Sequence, residues 1–333
     1  MQERQLSFAD AQVSQLRKAT KTSHRLLAFE RIIDWPSIVG LVQVVDKTDS
    51  TTGGRPHEDL EMMTRMLFVQ YLYNLSDEEL EEHLHDRLTF QRFCGITMEM
   101  SIPDHTTIWR FKESLIREGV MEKMFAMILS QIQSHDVVFT HGRIIDATII
   151  DSSNRPLTTQ QREAAQTNPS PQKDTDARSG KKYGRYRFGY KGHISVDVGT
   201  KIITTHSFTA ANVHDSKERD ALLDGTEQAV YGDNAYDNYR LRDRMKSEGR
   251  YYGIRSQARG GKSLTSEQQQ QNKAIASTRS RVEHVFAYLK NVLRHRRARA
   301  RTRDRNELRF TMSCIVYNVL RAGFLLKPMM NRG

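Results

Sequence analysis

The 333-residue chain carries 51 basic against 40 acidic residues, a net charge of +11, and only two cysteines. Cys94 and Cys314 are far apart and lack CxxC companions, which excludes a disulfide scaffold and a zinc ribbon and fits a reducing compartment. The length suffices for a proper core in two or three domains. The basic surplus suits a polyanion partner, though a solvated basic surface would give the same balance.

Residues 1–20 are polar, with no apolar signal core. The longest apolar run, 312–326, is broken by Asn318 and Arg321 and is too short to span a bilayer. A soluble cytoplasmic protein, with no membrane partner, is expected.

Residues 1–50 read as weakly patterned helix, with 32–45 apolar enough to join a core, and 46–57 read as a loop. From 58 to 75, Leu60, Met63, Leu67 and Tyr71 recur at helical spacing. Ser76-Asp-Glu-Glu79 is a capping box for a second helix bearing Leu80 and Leu84. After a turn region, Asp104 is the expected N-cap of a third helix. Its inner stripe is Ile108, Phe111 and Leu115, and Thr106, Thr107, Arg110 and Lys112 are left outside. Short helices in this succession over 58–118 resemble a helix-turn-helix whose last helix enters a major groove, and an ordinary helical bundle fits the same pattern. A further amphipathic helix over 120–132 ends an all-α region, 1–135, expected to bind DNA and to dimerise.

Within 136–333 the first strand is Gly142-Arg-Ile-Ile-Asp-Ala-Thr-Ile-Ile-Asp151, apolar on both faces and therefore expected inside a sheet covered on both sides. Asp146 interrupts it, and a carboxylate there needs a cation, a metal or several donors. Residues 152–187 are polar and read as a mobile loop. The end of that loop is basic and aromatic: Lys181, Lys182, Arg185, Arg187 and then Lys191 alternate with tyrosines and Phe188, which suits a nucleic-acid strand. Strands are expected over 188–198, 201–209, 229–231 and 251–254, and helices over 239–247, 265–293 and 306–326. The sum is an α/β domain, a mixed sheet flanked by helices.

Three acids stand out. Asp146 is joined by Asp233, left at a strand end by Gly232, although an N-cap for the next helix explains Asp233 equally well. On the long helix Arg279, Glu283 and Lys290 fall on one stripe, where an Arg–Glu pair taken alone reads first as a solvent-exposed salt bridge. Together the two strand aspartates and the helix glutamate form a ligand set for two Mg²⁺ ions, with Mn²⁺ as a substitute, suited to in-line phosphodiester displacement. Arg279 and Lys290 would hold phosphates beside them. The stretch 290–305 carries Lys290, Arg294, Arg296, Arg297, Arg299, Arg301, Arg303 and Arg305 against Asp304 alone, and is assigned to DNA backbone.

The chain resembles the bacterial insertion-sequence transposases of the DDE class, most closely the IS-five family. The resemblance covers nearly the whole sequence, through Gly53-Gly-Arg-Pro56, Gln70-Tyr-Leu-Tyr-Asn-Leu-Ser-Asp-Glu-Glu-Leu-Glu-Glu82, Ile102-Pro-Asp-His-Thr-Thr-Ile-Trp-Arg-Phe111, Ile145-Asp-Ala-Thr148, Phe188-Gly-Tyr-Lys191, Ala211-Asn-Val-His-Asp215, Tyr231-Gly-Asp-Asn-Ala-Tyr-Asp237 and Arg281-Val-Glu-His-Val-Phe286. It implies a ribonuclease-H-like catalytic fold with its acids at Asp146, Asp233 and Glu283. The related signature Tyr-x2-Arg-x3-Glu-x6-Lys is met at Arg279, Glu283 and Lys290, with Ala276 in the tyrosine position. His214 and Asp215, which also match, read as a supporting pair or a loop cap. The expected activity is binding of terminal inverted repeats, Mg²⁺-dependent cleavage at the element ends and joining of the 3′-hydroxyl ends to target DNA, by a homodimer associated with the bacterial nucleoid and with no small-molecule substrate. A DNA-binding regulator without catalysis, or a structure-specific nuclease without strand transfer, are the rival readings.

Overall fold

The computed structural model describes residues 21–46, 58–167, 173–182, 184–258, 260 and 263–330. The expected loop 46–57 lies outside these except for Asp46. The chain divides into two compact units, Met1–His135 and Asp136–Gly333.

The first unit is all helical: α1 (Lys21–Ile32), α2 (Trp35–Val42), α3 (Leu60–Tyr73), α4 (Asp77–Asp86), α5 (Leu88–Cys94), α6 (His105–Arg117) and α7 (Val120–Ser134). Its core holds Phe29, Trp35, Phe68 and Phe93 in edge-to-face contact. The capping box forms as read: Ser76 Oγ accepts from the Glu79 amide at 3.1 Å, and Glu79 accepts from the Ser76 amide at 2.7 Å. Asp104 caps α6 by accepting from the Thr107 amide at 2.6 Å, and Ile108, Phe111 and Leu115 are buried. The turn expected after α4 contains helix α5. Its Phe90, Phe93 and Cys94 are buried at helical spacing, and Gly95 at φ 71° ends it in the left-handed conformation.

The second unit is built on a six-stranded mixed sheet: β1 (Gly142–Asp151), β2 (Arg178–Lys182), β3 (Arg185–Asp197), β4 (Ile203–Ala210), β5 (Ala229–Gly232) and β6 (Tyr251–Ile254). The order is β2-β3-β1-β5-β6, with β4 also paired to β3. β3 runs antiparallel to β1, β2 and β4, whereas β5 runs parallel to β1 and to β6. The connecting helices are α8 (Thr159–Thr167), α9 (Arg219–Leu222), α10 (Tyr239–Ser247), α11 (Ser266–Ala287) and α12 (Arg303–Met330).

Both faces of the sheet are covered, as the doubly apolar β1 requires. Ile145 packs with Leu222, Val230, Tyr236, Leu241, Met245 and Ile254, which places α9 and α10 on its face. Alternation along the strand turns Asp146 to the opposite face. That face is roofed by α11, whose Arg279 reaches Asp146, and by α12, whose Phe310 stands over Gly192. At the start of β1 the fully buried Asp197 accepts from Arg143, Thr140, Gly199 and Thr200 and fixes the β3–β4 turn.

The segment 152–187, expected as a mobile loop, is corrected in part. It holds α8 and β2, and β2 pairs with the start of β3 from Arg178 opposite Gly189 to Lys182 opposite Arg185. Its low apolar content hid β2, because the segment leading into that strand is held by polar anchors instead. Asp174, 1 % exposed, accepts from the Tyr190 and Ser152 hydroxyls and from the Ala177 amide. The basic stretch before α12 is likewise tied down: the Asp151 amide donates to the Arg296 carbonyl and the Ala298 amide to the Asp151 carbonyl, while Arg309 donates to the carbonyls of Arg297 and Arg294.

Candidate active site

Strand pairing sets the segments that carry two of the three acids side by side. β5 pairs with β1 in parallel up to Ile144 opposite Tyr231. Asp146 lies two residues past Ile144 on β1, and Asp233 two residues past Tyr231. Asp233 follows the last residue of β5, the end of a parallel strand at which ligands gather in α/β sheets. Gly232 is required there because a Cβ would meet Ile254 Cδ1 at 2.8 Å and Ile145 Cγ1 at 3.2 Å. Asp233 Oδ1 accepts from the Ala235 amide at 3.0 Å, so it caps the following turn and stands at the site as well.

Asp146 is half-buried. Its Oδ1 accepts from the Ala147 amide at 2.8 Å, and its Oδ2 faces Arg279 Nη2 at 3.2 Å. The salt bridge that spacing suggests between Arg279 and Glu283 gives way to this tertiary one. Glu283 is exposed on α11, one helical turn beyond Arg279 and on the same stripe. Among the described residues no group of three or more His, Cys, Asp or Glu side chains is placed to hold a metal ion.

Beneath the aspartates lies Tyr236, fully buried, its hydroxyl without a hydrogen-bond partner. Burial first, then the negative charges of Asp215, Asp146 and Asp233, push its pKa up, with Arg279 opposing. The phenol stays neutral among charged neighbours, a group the sequence reading did not single out. The Ala-Tyr pair after Gly232-Asp-Asn was the available signal.

The supporting pair resolves into separate roles. His214 is exposed and bonds the Ser216 hydroxyl through Nδ1 at 2.8 Å, a loop cap. Asp215 accepts from Lys191 Nζ at 2.7 Å, and Lys191 also donates to the Val213 carbonyl at 2.7 Å. Lys191 sits opposite Ile149 on β3, so alternation points it to the face away from Asp146. A lysine engaged twice and 15 % exposed orders the 211–217 loop.

The remaining cations divide the same way. Arg110 is exposed on α6 beside Trp109, and Thr106 and Thr107 are half-buried in its first turn. Lys112 is turned inward, contrary to expectation, and pairs with Asp77 of α4. Lys181 and Arg185 are exposed near the tip of the β2–β3 hairpin, with Lys181 Nζ 5.9 Å from the ring centre of Tyr186. Nothing is described of the Lys182 side chain. Arg187 closes a fork on Asp151, with Nε 2.7 Å from Oδ1. Lys290 lies in a π-helical turn, Tyr288–Val292, that continues α11. Such turns recur at functional sites. Arg294, Arg296, Arg297, Arg299, Arg301 and Arg303 follow, with Arg296 bonded to Asn291 and Arg303 3.4 Å from Glu307.

A mixed sheet with helices on both faces, one acid within β1, a second just past the end of the parallel β5 and a cation-bearing roof helix fits a ribonuclease-H-like core of the DDE type. Family comparison agrees: residues 142–319 match the model described as Transposase DDE domain, and residues 14–114 match Transposase domain (DUF772). The chain belongs to the insertion-sequence DDE transposases. No solved structure matches it. Among the described residues no helix is long and apolar enough to cross a membrane.

Proposed function

We propose that this transposase, of the IS-five type by its motifs, binds the terminal inverted repeats of an insertion sequence, cleaves the phosphodiester bonds at the element ends and joins the 3′-hydroxyl ends to target DNA. The observation that supports the reading is the parallel pairing of β1, which carries Asp146, with β5, which ends one residue before Asp233, under a helix that sets Arg279 on Asp146.

The donor set suits hard divalent cations, because such ions take few carboxylates and accept phosphate oxygens. The guanidinium at Asp146 indicates that this carboxylate is built to face positive charge. Asp146, Asp233 and Glu283 would hold two Mg²⁺ ions, or Mn²⁺ in their place. When bound, these ions supply Lewis-acid activation of the attacking hydroxyl and charge stabilisation of the leaving oxygen.

The chain's own residues bind and orient. Thr106, Thr107 and Arg110 on α6 read base edges. Lys181, Lys182 and Arg185 on the hairpin and Arg294, Arg296, Arg297, Arg299, Arg301 and Arg303 after α11 hold backbone phosphates. Arg279 and Lys290 grip the phosphates nearest the cut. Joining two ends calls for at least two copies, so a homodimer forms on DNA, in the cytoplasm and on the nucleoid.

The test is cleavage of a duplex carrying the element end, in Mg²⁺, by the full chain and by Asp233→Asn. The variant should lose nicking while keeping DNA affinity. Full nicking by the variant removes the assigned chemistry. Binding without nicking by the unaltered protein favours a regulator, and cleaved ends that are never joined favour a structure-specific nuclease.

A further inference from the structure

The contact between Arg279 and Asp146 has a competitive consequence. A carboxylate oxygen held by a guanidinium is not available to a cation, and a guanidinium held by a carboxylate is not available to phosphate. We propose that Arg279 is a clasp: in the DNA-free protein it occupies Asp146, and DNA phosphate draws it off, so that a divalent cation gains Asp146 only after DNA is bound. The inference rests on the assignment of Asp146 as a metal ligand made above.

Three features argue that the clasp is made to open. Arg279 Nη2 meets Asp146 Oδ2 at 3.2 Å, longer than the roughly 2.7–2.9 Å of a strong charge-assisted hydrogen bond. Arg279 Nε is buried with no hydrogen-bond partner, so the guanidinium is incompletely satisfied where it lies. A phosphate diester offers paired oxygens to the same donors and would satisfy them better.

The helix beneath does not need to move. Val282, Val285 and Leu289 are all buried to within 2 % and anchor α11 on the sheet, so the exchange is a rotation of the Arg279 side chain. The neighbouring Arg281 points elsewhere: its Nη1 donates to the Val198 carbonyl at 2.8 Å, and it touches neither aspartate. Premature cation loading, and with it unguided hydrolysis, is disfavoured until the substrate supplies the phosphate.

Coupling of this kind is reciprocal, so each half can be read without activity. With EDTA present, Asp146→Asn frees Arg279 for phosphate, whereas Asp233→Asn removes an equal charge from the other assigned aspartate without touching the clasp. Asp146→Asn should therefore bind a duplex of arbitrary sequence roughly fivefold more tightly than Asp233→Asn. In the converse measurement, Mn²⁺ is titrated into the DNA-free protein and followed calorimetrically. Arg279→Gln should bind it roughly fivefold more tightly than Arg281→Gln, which loses the same charge one half-turn away. Equal DNA affinities in the first comparison, or equal Mn²⁺ affinities in the second, would overturn the clasp. Nicking retained by Asp233→Asn would instead sink the assigned chemistry, an outcome that these two binding comparisons do not produce.

Discussion

Gly192 lies on β3 opposite Thr148, two residues from the level of Asp146, and its missing side chain makes room for Phe310 of α12. A Cβ at Gly192 would fall 2.5 Å from Phe310 Cε2 and nearer still to Cζ, well inside the distance real Cβ atoms keep. The ring has nowhere to swing. It is 1 % exposed, with ring centres of Phe208, His295 and His206 at 5.6, 5.6 and 6.0 Å. Gly192→Ala must therefore either displace α12 or force Phe310 from its rotamer, at a cost of about 1–3 kcal/mol for overpacking. Phe310→Leu removes the atoms that clash, so the double variant should recover at least about 1 kcal/mol relative to the sum of the singles. Native-state hydrogen exchange of β1 and β3 amides is the suitable assay. Both tryptophans, Trp35 and Trp109, belong to the first unit, and their emission serves as a check that it stays folded. An alanine variant within about 0.5 kcal/mol of the unaltered protein, or strict additivity with Phe310→Leu, would refute the argument.

Two other outcomes follow from the same structure. His206 is buried beside Thr311, and burial lowers its pKa from 6.5 to about 4; burial pushes His295 down as well, assisted by Arg309 and Arg299. Because the unfolded chain takes up protons first, stability is full above pH 6.5 and falls as pH drops towards 4, by about 3 kcal/mol from His206 alone. Urea midpoints over pH 4–7 should show this fall, and Phe or Gln at position 206 should flatten it. On the DNA side, Arg110→Ala should reduce the preference for the element's own inverted repeat over an unrelated duplex by roughly tenfold, whereas Arg297→Ala should weaken both duplexes alike and lower the salt dependence. Competition binding at two salt concentrations separates them, and equal losses of preference would remove α6 as the reading helix.

Local chemistry made much of the molecule legible in advance. The capping box at Ser76, the cap at Asp104, the doubly apolar strand around Asp146 and the helix over 239–247 depend on neighbours a few residues away, and the amino-acid order specifies these directly. The same holds for the membership of the chain among DDE transposases, carried by motifs along its length. The strand hidden in 152–187 escaped because its anchors, Asp174 to Tyr190 just before it and β2 to β3, are polar and tie it to other parts of the chain. Tertiary structure alone decided that the segments carrying Asp146 and Asp233 run side by side, since a parallel register between residues 87 apart has no local signature. It also decided which cations pair with carboxylates. Lys112, Arg187 and Lys191 look interchangeable with Arg110 and Lys181 in sequence, yet each is drawn to a carboxylate that folding brings beside it. Arg279 passed over Glu283, one turn away on its own helix, for Asp146 across the sheet, because packing α11 on β1 puts a half-buried carboxylate within its reach, where less water competes for the charge.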